Sequence, residues 1–267
     1  MSFRITSKLA GKLTSTALAA VFVATGASAQ EATPLTYSLS SKGAVTEGDA
    51  AGFSAIFGAP SAVPSPRKFG AVGITFAENQ RTGNPDADLG LSYAIGDPIT
   101  GVNLTFGLAI TSLRDKFGDA GSFSLSLARL VHAGAKSATF VGANVANIGE
   151  WGDLKGDPRS SIYITQTGVF GASEDRSYIA TIGYGQEAKA RRGKSKEDGF
   201  FWGFGVGMTP NLSASLSGSE TQVNFGVSAL IKNVPGLVVT LGVNDVFDNT
   251  NQYQPALTIG YGFKFGG

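Results

Sequence analysis

His132 is the only histidine in the chain. A hydrolytic nucleophile and its base must lie within hydrogen-bond reach of each other. The local sequence Leu130-Val131-His132-Ala133-Gly134 has no serine two positions on, and Ser126 is six residues away. A local Ser/His pair is therefore absent. A cross-strand partner stays open, beside the plainer reading that His132 sits at a rim. Glu150, Asp153 and Asp157 share one long segment with Trp151 and Gly152. Carboxylates in such a loop suit Ca²⁺, which takes oxygen ligands, but the spacing does not match an EF-hand loop. A solvated loop is the reading adopted, and Asp245 and Asp248 are read the same way. No metal site and no cofactor are expected. Lys189, Arg191, Arg192, Lys194 and Lys196 form a basic run flanked by Glu187, Glu197 and Asp198. Clustered basic side chains can hold phosphate groups; the alternative is a soluble loop tip.

These residues must be placed by strands. The last stretch, Gln254 to Phe265, points Leu257, Ile259, Tyr261, Phe263 and Phe265 one way. Ala256, Thr258, Gly260, Gly262 and Lys264 point the other way. Strict alternation is the mark of a β-strand with one apolar face. Similar runs predict strands at 69–77, 87–95, 100–112, 121–132, 138–148, 161–171, 177–185, 199–208, 211–217, 221–231, 236–244 and 255–265. Most are near the ~9–11 residues that let a tilted strand cross a bilayer. The faces of 138–148 and 161–171 are ambiguous.

Within these spans the only Asp, Glu, Lys or Arg residues are Asp88, Arg129 and Lys264. A soluble sheet would carry charge on its wet face. Here the polar face is Gly, Ser, Thr and Asn. Arg129 shares the face of Leu125 and Leu127 but lies near a strand end, where its stem can snorkel.

Arg4, Lys8 and Lys12 precede a short apolar run, Leu13 to Thr25, and a small-residue site, Ala27-Ser28-Ala29. Residues 1–29 are thus expected to be a secretory signal peptide. Removing its three basic residues from the 21 Lys+Arg leaves 18 against 20 Asp+Glu, a net charge of −2. That balance gives no support for nucleic-acid binding. Cysteine is absent, which excludes disulfides and cysteine metal sites.

Residues 30–66 differ from the rest, with Pro34, Pro60, Pro64 and Pro66 among Gly, Ala and Ser. They are read as a periplasmic lead-in or a plug, with one or two helical turns at 50–59 and a short strand at 36–41. Residues 67–267 are expected to form a barrel of the predicted strands. Five of the six links after odd-numbered strands are long, and all the links after even-numbered strands are short. The exception is Gly218-Ser219-Glu220: either this hairpin is low-rimmed or the count is off by a pair there. Long outer loops and short periplasmic turns are the habit of transmembrane barrels.

The pattern resembles a Gram-negative outer-membrane β-barrel protein, porin-like in the broad sense, with no particular family assigned. The resemblance covers the signal peptide and roughly residues 67–265. It implies an all-β, antiparallel transmembrane barrel of about twelve strands in the cell outer membrane, and contact with its lipids. It also implies delivery by the barrel assembly machinery, which reads a terminal aromatic. Here Phe265 is followed by Gly266 and Gly267, so that signal is shifted. Lipopolysaccharide then becomes the phosphate source for Lys189, Arg191 and Arg192. Tyr93, Trp151, Tyr184, Trp202, Tyr253 and Tyr261 suit interfacial girdles.

The implied function is passive, porin-like diffusion of small solutes, with no enzymatic activity. The predicted lumen wall comprises Asp88, Asn103, Thr105, Ser122, Ser124, Ser126, Gln222, Asn224, Thr240, Asn244, Thr258 and Lys264. Its glycines include Gly183, Gly203, Gly205, Gly260 and Gly262. Glycine in a strand often marks close approach by another segment. The wall is therefore either bare around open water or covered by residues 31–66, with Phe53 and Phe57 as anchors. Alternatives are a structural or adhesive barrel with a plugged lumen and a lipid hydrolase using His132. Outer-membrane phospholipases also resemble twelve-stranded barrels and use a Ser/His pair on one strand.

Overall fold

The computed structural model describes the strand backbone at 37–39 and 45–47 and residues 53–265, with gaps at 80–83, 112, 114–116, 135, 153–158, 171–175, 190–196 and 252. The expected signal peptide and the two residues after Phe265 lie outside the described residues. Two short strands, β1 (Tyr37–Leu39) and β2 (Val45–Glu47), pair antiparallel as a separate sheet.

Twelve further strands follow: β3 (Phe69–Asn79), β4 (Asn84–Ile95), β5 (Asn103–Thr111), β6 (Ala120–Ala133), β7 (Ser137–Trp151) and β8 (Arg159–Phe170) come first. Then come β9 (Arg176–Lys189), β10 (Glu197–Thr209), β11 (Leu212–Ser219), β12 (Val223–Leu230), β13 (Leu237–Asn244) and β14 (Gln254–Lys264). Each pairs antiparallel with its neighbours in sequence, and β14 pairs with β3 to close the barrel. The expected all-β closed barrel of twelve strands is the observed fold. The closing seam runs from Ala256 opposite Ala77 to Lys264 opposite Phe69.

Alternation decides which way each side chain faces. On β10 Phe200, Trp202 and Phe204 are exposed, while Gly203, Gly205 and Gly207 are buried. On β14 Ile259 and Tyr261 are exposed, while Thr258, Gly260 and Gly262 are buried. A closed barrel has no free sheet edge, and in a bilayer every main-chain polar group must be paired internally.

Three differences from the sequence reading have physical causes. First, several strands run further into the long loops than expected; β7 reaches Trp151 and β9 reaches Lys189. The added ends carry charges such as Arg159, Glu187 and Lys189 that the shorter spans left in loops. Register shifts between Gly121 and Leu125 accompany the extension of β7. Trp151 folds back over the bare backbone there: a Cβ on Gly121 would lie 2.3 Å from its ring.

Second, the ambiguous strands have defined faces. Along β8, Ile162 and Ile164 are exposed and Tyr163 and Thr165 buried; along β7, Ala138 and Phe140 are buried and Val141 exposed. Their inner faces are partly apolar because they pack against an internal segment, so polarity alone could not separate inside from outside. Third, no helix forms at the described part of 50–59. Residues 53–66 run irregularly through the barrel, and Pro60, Pro64 and Pro66 oppose helix by removing donors.

The links fall into two groups, one at each end of the barrel. The turn end carries 96–102, 134–136, 171–175, 210–211 and 231–236. The loop end carries 80–83, 112–119, 152–158, 190–196, 220–222 and 245–253. The short link at 220–222 is a low rim within an intact twelve-strand count.

Candidate functional site: a lumen with an internal segment

The inner wall is built largely from small polar side chains. Asp88, Asn103, Thr105, Ser122, Asn224, Thr240, Asn244 and Thr258 are buried. Gly203, Gly205, Gly260 and Gly262 are also buried, and Ser124, Ser126, Gly183 and Gln222 are half-buried. Lys264, the last residue of β14, is exposed at the turn-end rim rather than covered by the wall. Cross-strand hydroxyl pairs tie neighbouring strands together: Thr75 to Thr258 at 3.0 Å and Ser228 to Thr240 at 2.8 Å. Asn144 donates to Ser126 at 2.7 Å.

Residues 53–66 cross this lumen as an inverted U. On the way up, the main-chain N–H of Ala55 donates to Ser213 Oγ at 3.0 Å and that of Phe57 to Ser215 Oγ at 3.1 Å. Ser217 Oγ donates to the Phe57 carbonyl. The three serines alternate along β11 from its turn end toward its loop end, so the ascending arm lies along that strand. Gly58, with φ of +83°, makes the bend beside Asn224 and Ser217; such a φ favours glycine.

On the way down, the Ala62 N–H donates to Thr165 Oγ1 at 2.8 Å, and the Thr165 hydroxyl donates to Thr181 Oγ1 at 2.9 Å. The Ser65 carbonyl accepts from Asn103 Nδ2 at 3.0 Å, at the turn end of β5. Ile56, Ala59, Ala62 and Val63 then join Phe140, Tyr163, Ile179 and Phe201 in one apolar cluster. Phe53 and Ala55 pack with Val238 in a second.

The wall glycines leave room for the segment. A Cβ on Gly205 would lie 2.1 Å from the Ala55 carbonyl oxygen, and one on Gly207 would lie 2.5 Å from that of Phe53. A Cβ on Gly226 would meet Phe57 Cβ at 2.4 Å, and one on Gly242 would meet the Phe57 ring at 2.5 Å. Gly183 is different, since its neighbours are Phe201 and Tyr163 of the wall itself. The serine ladder at 213, 215 and 217 was not singled out from sequence. Its signal was the alternation Ser213-Ala214-Ser215-Leu216-Ser217 in a strand whose other face is apolar.

The tip of the segment connects to the loop end. Asn224 Nδ2 donates to Ser217 Oγ at 3.2 Å, and Asn224 Oδ1 accepts from the Asp245 N–H at 3.0 Å. The Asp245 carboxylate accepts from the N–H groups of Asn249 (3.1 Å) and Thr250 (2.8 Å) and from the Thr250 hydroxyl (2.7 Å). Asp245 was read as a solvated loop carboxylate. It is fully buried instead, because it organises its own loop.

The other candidates of the sequence are dispersed. His132 is exposed near the turn end, opposite Thr139. Among the described residues, no hydrogen bond joins it to a serine. Asp153, Asp157, Arg191, Arg192, Lys194 and Lys196 lie outside the described residues. Lys189 forms an ion pair with Glu220, and Arg159 forms one with Glu187 at 2.9 Å. The aromatic residues form clusters at both ends: Tyr93 meets Phe265 edge-on at 5.5 Å near the turn end, and Tyr184 meets Phe200 at 5.1 Å toward the loop end.

By fold the chain is a twelve-stranded barrel of the outer-membrane type, porin-like in the broad sense. No family model and no curated protein matches its sequence. Among solved structures, the NanC porin matches with a TM-score of 0.52 and 10% identity, over 73% of this chain and 100% of that one. The KdgM porin in complex with disordered oligogalacturonate matches with a TM-score of 0.51 and 8% identity, over 73% of this chain and 99% of that one. At such identities the likeness is one of fold.

Proposed function

We propose that the protein spans the outer membrane and forms a porin-like channel for passive diffusion of small polar solutes. One observation carries this reading: the closed barrel lines much of its interior with Ser, Thr, Asn and Gly, with the carboxylate of Asp88 among them, while its outward faces are apolar. Such a wall offers hydrogen-bond partners to a hydrated solute and few charged groups to select its sign. The likeness to the NanC and KdgM barrels supports the channel reading. The solute class follows from this wall alone.

Liposome swelling tests it. Vesicles carrying the refolded protein should swell in neutral sugars at rates that fall as the sugar grows. Swelling no faster than in protein-free vesicles would count against a channel. A second reading, a structural or adhesive barrel with a plugged lumen, is favoured by the contacts of residues 53–66, and it predicts no swelling under any condition. A lipid hydrolase has no such support, since the hydrogen bonds of the described residues bring no serine to His132.

A further inference from the structure

We infer that residues 53–66 are a releasable gate: bound to the wall they narrow the lumen, and withdrawal through the turn end opens it. This rests on the channel reading above. Three observations carry it.

The first is how the segment is held. The bonds described between the segment and the wall use side chains of the wall: Ser213, Ser215, Ser217, Thr165 and Asn103. The strand-to-strand ladders are complete without them. The segment can therefore leave with no loss of barrel pairing; the freed hydroxyls can turn to water or solute, and the cost of leaving is the exposure of the two apolar clusters around Ile56 and Phe53. A strand of the sheet could not leave on those terms.

The second is direction. Phe53 lies against Gly207, near the turn end of β10, and Ser65 against Asn103, the first residue of β5. Both feet of the U thus stand at the turn end, and only the bend at Gly58 reaches toward the loop end. Withdrawal toward the turn end needs no residue to thread past another. Short turns face the periplasm in barrels of this kind, so the gate would retract to that side.

The third is the wall itself. Gly205 and Gly207 on β10, Gly226 on β12 and Gly242 on β13 all back onto the segment. Side chains there would collide with it. Once the segment leaves, no side chain at these positions fills the space it occupied.

The chain has no cysteine, which permits a clean test on the full-length protein. A Cβ on Gly203 would lie 3.3 Å from Ala59 Cβ, close to the ~3.5–4.5 Å that a disulfide spans between Cβ atoms, and 2.7 Å from Ile56 Cγ2, so the Ile56 side chain must shift to admit it. Ala59→Cys with Gly203→Cys should therefore lock the segment on the wall when oxidised. In planar bilayers, the oxidised variant should be silent, and reduction should restore openings at least as frequent as those of the unaltered protein. Gly205→Val, which cannot accommodate Ala55, should stay open longer than the unaltered protein. Equal openings in the oxidised and reduced forms would overturn the gate. So would a Gly205→Val record identical to that of the unaltered protein. Silence in every form, Gly205→Val included, would overturn the channel reading along with the gate that depends on it.

Discussion

Asn224 joins the internal segment to the loop at 245–250. Its amide bonds Ser217, which holds the Phe57 carbonyl, and its oxygen accepts from Asp245, which folds residues 245–250. The segment inside the barrel and the loop at its mouth thus share one side chain. Asn224→Ala should leave the barrel intact but loosen both, since a buried donor left unpaired costs about 1–3 kcal/mol. The expected result is faster proteolysis at 53–66 and at 245–251 with an unchanged β-sheet circular dichroism signal. Protection at both places equal to the parent would refute the connection. Asp245→Asn should loosen the loop while sparing the segment, since the main-chain N–H that reaches Asn224 is kept.

At the scale of elements, the turn at 96–102 carries its own pH dependence. Asp97 accepts from the Ile99 N–H and the Thr100 hydroxyl, each at 2.8 Å. These bonds, with a smaller contribution from the Arg67 charge, hold its carboxyl below the usual carboxylate value. A depressed folded-state value means that the stabilisation is present above the ordinary carboxylate range and is lost as pH falls through the folded value. Ile99 packs on the cluster that holds Ala62 and Val63. Acidification should therefore reduce amide protection around Ile99 in the parent protein, and Asp97→Asn should show no such acid step. The strands themselves were largely legible in the sequence, because period-two alternation survives wherever one face is apolar and the other polar. Strands β7 and β8 were placed but their faces were not, because Phe140 and Tyr163 turn apolar side chains inward onto the internal segment. The segment was read as a proline-punctuated lead-in or plug anchored by Phe53 and Phe57, but its path was not legible, because its docking surface on β11 looked like an ordinary polar strand face. Asp245 was unreadable for a related reason: nothing local in Asn244-Asp245-Val246 shows that the carboxylate turns back on Asn249 and Thr250.

For the whole molecule, the outward apolar band predicts where charge is tolerated. Leu241 is 62% exposed midway along β13. Leu241→Lys should cost about 2–4 kcal/mol if that surface meets lipid at mid-depth. Val246→Lys, in the loop beyond the strand, should stay within about 0.5 kcal/mol. Urea unfolding from lipid vesicles would measure both, and equal costs would argue that no membrane surrounds the band. The same global account explains why the wall can be so rich in glycine: the closed ladder carries the fold, so inner side chains are free to fit what occupies the lumen. Closure by β14 against β3 makes no use of residues 30–66, so a chain lacking them should still form the barrel. Single-channel recording of that shortened chain in planar bilayers tests the central claim most directly. Discrete, long-lived conductance steps, larger or more frequent than those of the full chain, are the predicted result. A correctly folded shortened barrel that passes no current would contradict it.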